Sequence, residues 1–161
     1  MKTATFRKLL SAAAALGMLA AGSAHAAGNV TVTVNATIIP VCKFFTVAPV
    51  VNITNTGVGS NIDPSSATSA TGAAAILYRC TNGTAPIFTV PATATVTCTT
   101  AGTCGVTTMT PTITSANTGA GSGLGAGQDK TLTVTGTITN ANFQNMQAGL
   151  YSGTMVVSVA P

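Results

Sequence analysis

The stretch Asn29-Val-Thr-Val-Thr-Val-Asn-Ala-Thr-Ile-Ile39 alternates apolar and polar residues, and Pro40 ends the alternation. A period of two is typical of a half-buried β-strand, because successive side chains point to opposite faces. The apolar face consists of Val30, Val32, Val34, Ala36 and Ile38. The segment is predicted to be a strand of its own sheet, which is the usual fate of an N-terminal strand. The alternative is a free arm that adds to the sheet edge of another molecule.

The residues before this stretch have the composition of an export signal. Three basic residues lie within the first eight, residues 9–21 form an almost unbroken apolar run, and Ala24-His25-Ala26 is a small-x-small cleavage site. The run is shorter than the roughly 20 residues that a transmembrane helix needs. We predict a signal peptide over residues 1–26 and no membrane-spanning segment after it.

The composition after residue 26 favours a neutral all-β protein. Residues 27–161 are long enough for one domain with a modest core. They contain three basic and two acidic residues, a formal net charge of +1, whereas the whole chain has +4. No basic patch is left to bind nucleic acid or an acidic membrane surface. Threonine and valine are abundant, and β-branched residues favour strands.

Short strand-like segments separated by turn signals follow Pro40. A strong turn signal is Asn82-Gly83, and residues 117–127 form a glycine-rich loop. No segment has helical periodicity with caps. The spacing of strands and turns predicts a β-sandwich. The predicted strands span residues 44–54, 73–80, 86–98, 106–114, 130–139 and 151–159.

The four cysteines, Cys42, Cys80, Cys98 and Cys104, all follow the predicted cleavage site. An even number in an exported chain implies disulfides, and three pairings are possible. We favour Cys42–Cys80 and Cys98–Cys104, because residues 98–104 resemble a hairpin tip whose ends lie close together. A zinc site is disfavoured, since there is no C-x2-C pair and no histidine after residue 26.

The sequence offers no catalytic constellation. After residue 26 it has no histidine and no glutamate, so a Ser-His-Asp triad is excluded. Asp63 and Asp129 are the only side-chain carboxylates, and both lie in turn-like or strand-start positions. The glycine-rich residues 119–127 lack the Gly-Lys-Ser/Thr ending of a phosphate-binding loop. We expect no enzyme activity, no cofactor and no metal.

Several segments, taken in order, carry a family resemblance. The alternating strand directly after the cleavage site is followed by Cys42, and Tyr78-Arg-Cys-Thr-Asn-Gly-Thr84 ends a strand. Residues 132–138 alternate again, and Ala148-Gly-Leu-Tyr-Ser-Gly153 precedes a valine-rich terminal strand. This order resembles the spore-coat-protein-U-like pilins of archaic chaperone–usher pili. Residues 92–127 match that pattern poorly.

The resemblance implies a fold, a function and a set of partners. Such pilins are incomplete immunoglobulin-like β-sandwiches, here residues 40–161, completed by a donor strand. Residues 27–39 would be the N-terminal donor strand, with Val30, Val32, Val34, Ala36 and Ile38 binding the next subunit. A periplasmic chaperone fills the groove first, and donor-strand exchange occurs at an outer-membrane usher. The product would be an extracellular pilus on a Gram-negative cell surface, which supports adhesion and biofilm formation.

Two other functions stay open at this point. The first is a tip adhesin that binds a surface ligand, although such subunits usually carry an additional receptor-binding domain and need no donor arm. The second is a monomeric secreted β-sandwich in which residues 29–39 fold into their own sheet. An enzyme has the least support.

Overall fold

The computed structural model describes residues 29–100, 104 and 107–161, so the predicted signal peptide lies outside the described residues. The chain divides into two units, residues 1–37 and 38–161. In the first unit, residues 29–37 belong to no helix or strand, and the side chains of Val30, Val32 and Val34 are 84%, 73% and 86% exposed. The prediction that this segment is a strand of its own sheet is therefore wrong. An extended segment becomes a strand only where a neighbour takes its backbone hydrogen bonds.

The second unit is mostly β-sheet, which confirms the predicted all-β class. It contains nine strands and one helical turn within the described residues. The elements are β1 Cys42–Phe44, β2 Ala70–Cys80, β3 Ile87–Thr89, β4 Val96–Cys98, β5 Thr108–Met109, β6 Thr112–Asn117, β7 Lys130–Ile138, α1 Asn140–Phe143, β8 Tyr151–Ser152 and β9 Ser158–Ala160.

The main sheet has the strand order β1-β2-β7-β6. Its centre is the antiparallel pair β2–β7, which keeps one register from Ala70↔Ile138 to Tyr78↔Lys130. Every second residue of β7 is buried, as the alternation in the sequence predicts. Leu132, Val134 and Ile138 provide the large apolar side chains of this inner face.

Two smaller sheets, β3-β9 and β5-β4-β8, come from longer segments that the sequence predicted as single strands. The predicted strand 86–98 is divided into β3 and β4, with Pro91 between them, because proline has no N–H for a sheet ladder. The predicted strand 151–159 is likewise divided into β8 and β9. Backbone bonds from Ala94 to Pro111 and from Ile113 to Ala92 join this region to β6.

The buried residues form two apolar clusters. Ile76, Tyr78 and Leu132 belong to the first, where the ring of Tyr78 meets Phe88 edge-on at 4.9 Å. Phe143 of α1 belongs to the second, so the one helical turn, which the sequence did not predict, supplies a core residue. None of the helices in the described residues is long and apolar enough to span a membrane.

Both disulfides follow the favoured pairing. Cys42–Cys80 joins β1 to β2 at a directly opposed pair, with the Cα atoms 4.1 Å apart. Cys98–Cys104 closes the hairpin after β4, with a Cα separation of 6.2 Å. The first crosslink ties distant parts of the chain together, and the second closes a short local loop.

Candidate functional site

The second unit contains an open cleft of about 1150 Å³. Its floor is the inner face of the main sheet, with Ala74, Ile76 and Val134 among the floor residues. The short strands β4 and β5 contribute Val96 and Met109, respectively. Except for Ala74, all of these side chains belong to the apolar clusters of the core or pack against them. The cleft therefore opens directly onto core side chains instead of lying on a polar surface.

Residues 46–53 form one side of the cleft, which we call the first wall. The chain is bound to β2 on both flanks of this wall. Phe45 donates its N–H to the carbonyl of Leu77 at 2.9 Å, and Thr54 and Thr71 exchange two backbone bonds of 3.0 and 2.9 Å. Between these flanks, no backbone hydrogen bond within the described residues involves residues 47–53.

Ala48 explains how the first wall leaves the sheet. Its φ is +48°, and it is the only non-glycine residue with positive φ in the described part of the chain. Such a backbone conformation is unfavourable for a residue with a Cβ and usually reverses or bends the chain. Pro49 follows and has no N–H to offer a neighbouring strand. The strand predicted over residues 44–54 ran through this point, so the wall was not predicted.

Residues 153–157 also line the cleft, and we call this segment the second wall. It connects β8 to β9, and Met155 and Val157 are half-buried toward the core, whereas Val156 is 82% exposed. This alternation in the second wall is the one the sequence predicted. Yet residues 154–156 take part in no backbone hydrogen bond with any described residue. The side chains of the second wall thus alternate between buried and exposed as in a strand, but its backbone is not paired with any described strand.

The cleft is electrically neutral. No charged side chain is found among its described lining residues. An occupant therefore gains nothing from carrying charge, and a buried charge without a partner would be costly. What the cleft offers is apolar surface together with two stretches of unpaired backbone. An extended apolar peptide satisfies both, since its backbone supplies N–H and C=O groups and alternate side chains enter the core.

The charged residues lie elsewhere. Arg79 donates from Nε to Oδ1 of Asp129 at 2.6 Å and from Nη2 to Oδ2 at 3.2 Å, and its guanidinium lies 4.3 Å from the ring centre of Phe45. The hydrogen bond from Arg79 holds the pKa of Asp129 below its ordinary value. The pair links β2 to the residue before β7, a contact between distant residues that the sequence analysis did not foresee.

Asp63 has a local role in a turn. Its carboxylate accepts hydrogen bonds from the backbone N–H and the hydroxyl of Ser65 at 2.9 and 2.7 Å, and these bonds lower its pKa. The residues that the structure describes contain no group of three potential metal ligands. Nothing in this arrangement brings the two aspartates to a common substrate.

The five candidate donor residues share one property in the described part of the chain, their exposure. Val30, Val32, Val34, Ala36 and Ile38 are all exposed and outside any strand. Their proposed binding to another molecule stays a prediction. The residues that the sequence analysis missed are those of the first wall, where the signal was Ala48-Pro49 in the middle of an apolar run.

Comparison with known proteins identifies no relative. No protein-family model matches the chain, and no curated protein or solved structure is significantly similar to it.

Proposed function

We propose that this chain is a structural subunit of a chaperone–usher pilus assembled by donor-strand exchange. In this proposal, residues 40–161 are an incomplete immunoglobulin-like β-sandwich, and residues 27–39 of another copy supply the missing strand. The observation that supports the proposal is the cleft itself: core side chains are open between two walls whose backbone groups are unpaired within the described residues.

The donor segment has the chemistry that this cleft requires. It carries no charge, and its apolar side chains alternate with threonine and asparagine. Inserted as a strand, it would direct one face into the core and leave the polar face in solvent. Burying the four larger aliphatic side chains and one alanine gains on the order of 10 kcal/mol before the cost of ordering the segment.

The donor and the first wall have similar numbers of residues. From Val30 to Ile38 an extended backbone spans about 26 Å at roughly 3.3 Å per residue. The first wall, residues 46–53, has eight residues. In this proposal the donor lies along the cleft with its five apolar side chains over the floor.

An open cleft of this kind explains why a chaperone is part of the proposal. Unpaired strand edges beside bare apolar surface promote aggregation. A periplasmic chaperone would cover the cleft until an outer-membrane usher brings two subunits together. The fibre would then stand on the cell surface and support adhesion and biofilm formation.

The first test replaces one apolar donor residue by a charge. Because Val32 is exposed in the single chain, Val32→Asp leaves the fold of the subunit intact but places a carboxylate in the apolar cleft of the next subunit. We expect loss of fibres in electron micrographs and of SDS-resistant ladders. Thr33→Asp is the matched control, since Thr33 lies on the opposite face of the same segment and should still polymerise. Normal fibres from both variants would contradict the proposal.

A monomeric secreted β-sandwich or a tip adhesin is the alternative. A monomer predicts that the purified chain elutes at the size of one subunit without a chaperone and forms no ladder. A tip adhesin predicts that the chain accepts a strand from another subunit, while Val32→Asp has no effect on assembly, because a tip has no acceptor for its own arm.

A further inference from the structure

Residues 73 and 75 of β2 form a vacant stretch of sheet edge beside the first wall. Odd-numbered residues of β2 direct their backbone groups toward β1, as the bonds of Thr71 and Leu77 show. The backbone groups of the even-numbered residues point toward β7. Thr131 of β7 lies opposite an odd-numbered residue of β2, and its carbonyl accepts a bond from Thr118 on the other side, so the ladder bonds between β2 and β7 come from the even-numbered residues. The backbone groups of Ala73 and Ala75 therefore point outward from the edge of β2, and no bond within the described residues satisfies them there.

The first wall lies over the inner face of the sheet instead of at this edge. A Cβ added to Gly72 would overlap the carbonyl of Asn52, so that carbonyl sits directly above Gly72. A Cβ at Gly136, which lies opposite Gly72, would come 3.0 Å from Cδ1 of Ile53 and 3.4 Å from Cγ1 of Val51. The two glycines make the space in which the wall rests.

The wall has enough chain to reach the edge. Between the Phe45–Leu77 and Thr54–Thr71 pairs, it contains three more residues than the facing part of β2. Continuing the Thr54–Thr71 register places Asn52 opposite Ala73 and Val50 opposite Ala75. The surplus residues then form a bulge around Ala48, whose positive φ already bends the chain there.

The side chains of the wall already suit that edge register. Val51 and Ile53 are half-buried, whereas Val50 and Asn52 are exposed. Paired with β2, Val51 and Ile53 face the core together with Ala74 and Gly72, and their own backbone groups point away from β2. Pro49 cannot extend the ladder further, because it has no N–H.

We propose that the first wall is a displaceable segment that covers part of its own cleft until a donor strand arrives. This inference rests on the proposed donor-strand exchange. The donor takes the space above Gly72 and Gly136, and the wall moves to the edge of β2, where Val50 and Asn52 exchange four backbone hydrogen bonds with Ala75 and Ala73. The inserted strand pairs with the second wall, where residues 154–156 have no backbone partner among the described residues. The bonds that form on β2 offset the contacts that the wall loses above the two glycines.

Amide hydrogen exchange tests this movement residue by residue. The secreted full-length chain carrying Val32→Asp, which does not polymerise under the proposed function, is titrated with a synthetic peptide of residues 29–39. We expect exchange of the Val50, Asn52, Ala73 and Ala75 amides to slow at least about tenfold on binding, together with amides of the second wall.

The outcomes separate the two proposals. Protection of the second wall without any change at Ala73 and Ala75 would overturn the displaceable wall but support donor docking. Protection of Ala73 and Ala75 without Val50 and Asn52 would mean that the peptide itself pairs with β2, which also overturns it. Protection at neither wall, with no detectable binding, would overturn donor docking.

A pair of substitutions at Val50 gives an independent test. Val50→Pro removes the N–H and restrains the backbone, whereas Val50→Thr keeps both the N–H and the β-branch. Val50 is exposed and has no backbone bond in the free subunit, so both variants should melt like the parent. We expect Val50→Pro to bind the peptide about tenfold more weakly, as the loss of one to two backbone hydrogen bonds implies. Equal affinity for the two variants would overturn the proposal.

Discussion

The β2–β7 pair and the two walls of the cleft have similar residues but differ in backbone hydrogen bonding. The two strands are paired with each other, whereas the walls are unpaired among the described residues. β2 and β7 keep one antiparallel register over nine opposed residue pairs. Residues 47–53 and 154–156 have no backbone hydrogen bonds to any described residue, although both segments are largely apolar. Composition therefore makes a segment competent for a sheet, whereas a partner at the correct distance decides whether it becomes a strand.

The comparison has a consequence for stability. The β2–β7 pair is complete within one chain, so its free energy contributes to the folding of the subunit. The walls are unpaired within the described residues, and under the proposed function an occupant would stabilise them through binding. Substitutions in the first region should lower the stability of the subunit, and those in the walls should change mainly assembly. The following variants measure how much each region contributes to the stability of the subunit.

The largest expected effect on subunit stability comes from the disulfide that fastens β1 to the central pair. Replacing Cys42 and Cys80 by alanine opens a loop with a sequence separation of 38, whereas Cys98 and Cys104 are separated by only 6. Loop-closure entropy predicts losses in the free energy of unfolding of about 4 and about 2 kcal/mol, respectively. Denaturant unfolding of the two double variants checks this order, and an equal loss would contradict it.

A core truncation in β7 should follow. Leu132 is 1% exposed and lies in the first apolar cluster, so Leu132→Ala is expected to cost about 3 kcal/mol of unfolding free energy. Val156→Ala in the second wall should change it by less than about 0.5 kcal/mol, because that side chain is already in water. Urea unfolding midpoints of the two variants provide the measurement. A large loss for Val156→Ala would mean that the second wall is already packed.

The smallest effect concerns the Arg79–Asp129 pair and depends on pH. Since Arg79 lowers the pKa of Asp129 in the folded state, the pair contributes stability above the unfolded pKa of about 3.9 and loses it as the pH falls through the folded pKa. Asp129→Asn should therefore melt slightly below the parent at pH 7, by a few degrees at most. The difference should shrink toward pH 3. A difference that stays constant with pH would show that the charge is not responsible.

Much of the main sheet could be predicted from residue patterns. The alternation of Leu132, Val134 and Ile138 identified the buried face of β7, and the turn signal Asn82-Gly83 marked the end of β2 closely. The short cysteine spacing also indicated the local disulfide. These features succeed because each depends on neighbours in the chain, such as strand periodicity, turn geometry or loop length.

Other features could not be read from the chain. The breaks in the predicted strands 44–54, 86–98 and 151–159 depend on how far each segment lies from its partner. The Arg79–Asp129 pair joins residues 50 positions apart, and Phe143 is buried from a single helical turn that has no helical pattern. Each of these is decided by long-range packing, which local periodicity does not encode.

By itself, the sequence determined an all-β chain of low charge, with two disulfides and an alternating apolar segment before Pro40. Those properties follow from residue chemistry and from side-chain alternation, and both act over a few positions. Only the tertiary structure decided that two apolar segments have no backbone partners among the described residues and line an open cleft. The reason is geometric, since a strand exists only where the edge of a second one lies within hydrogen-bonding distance.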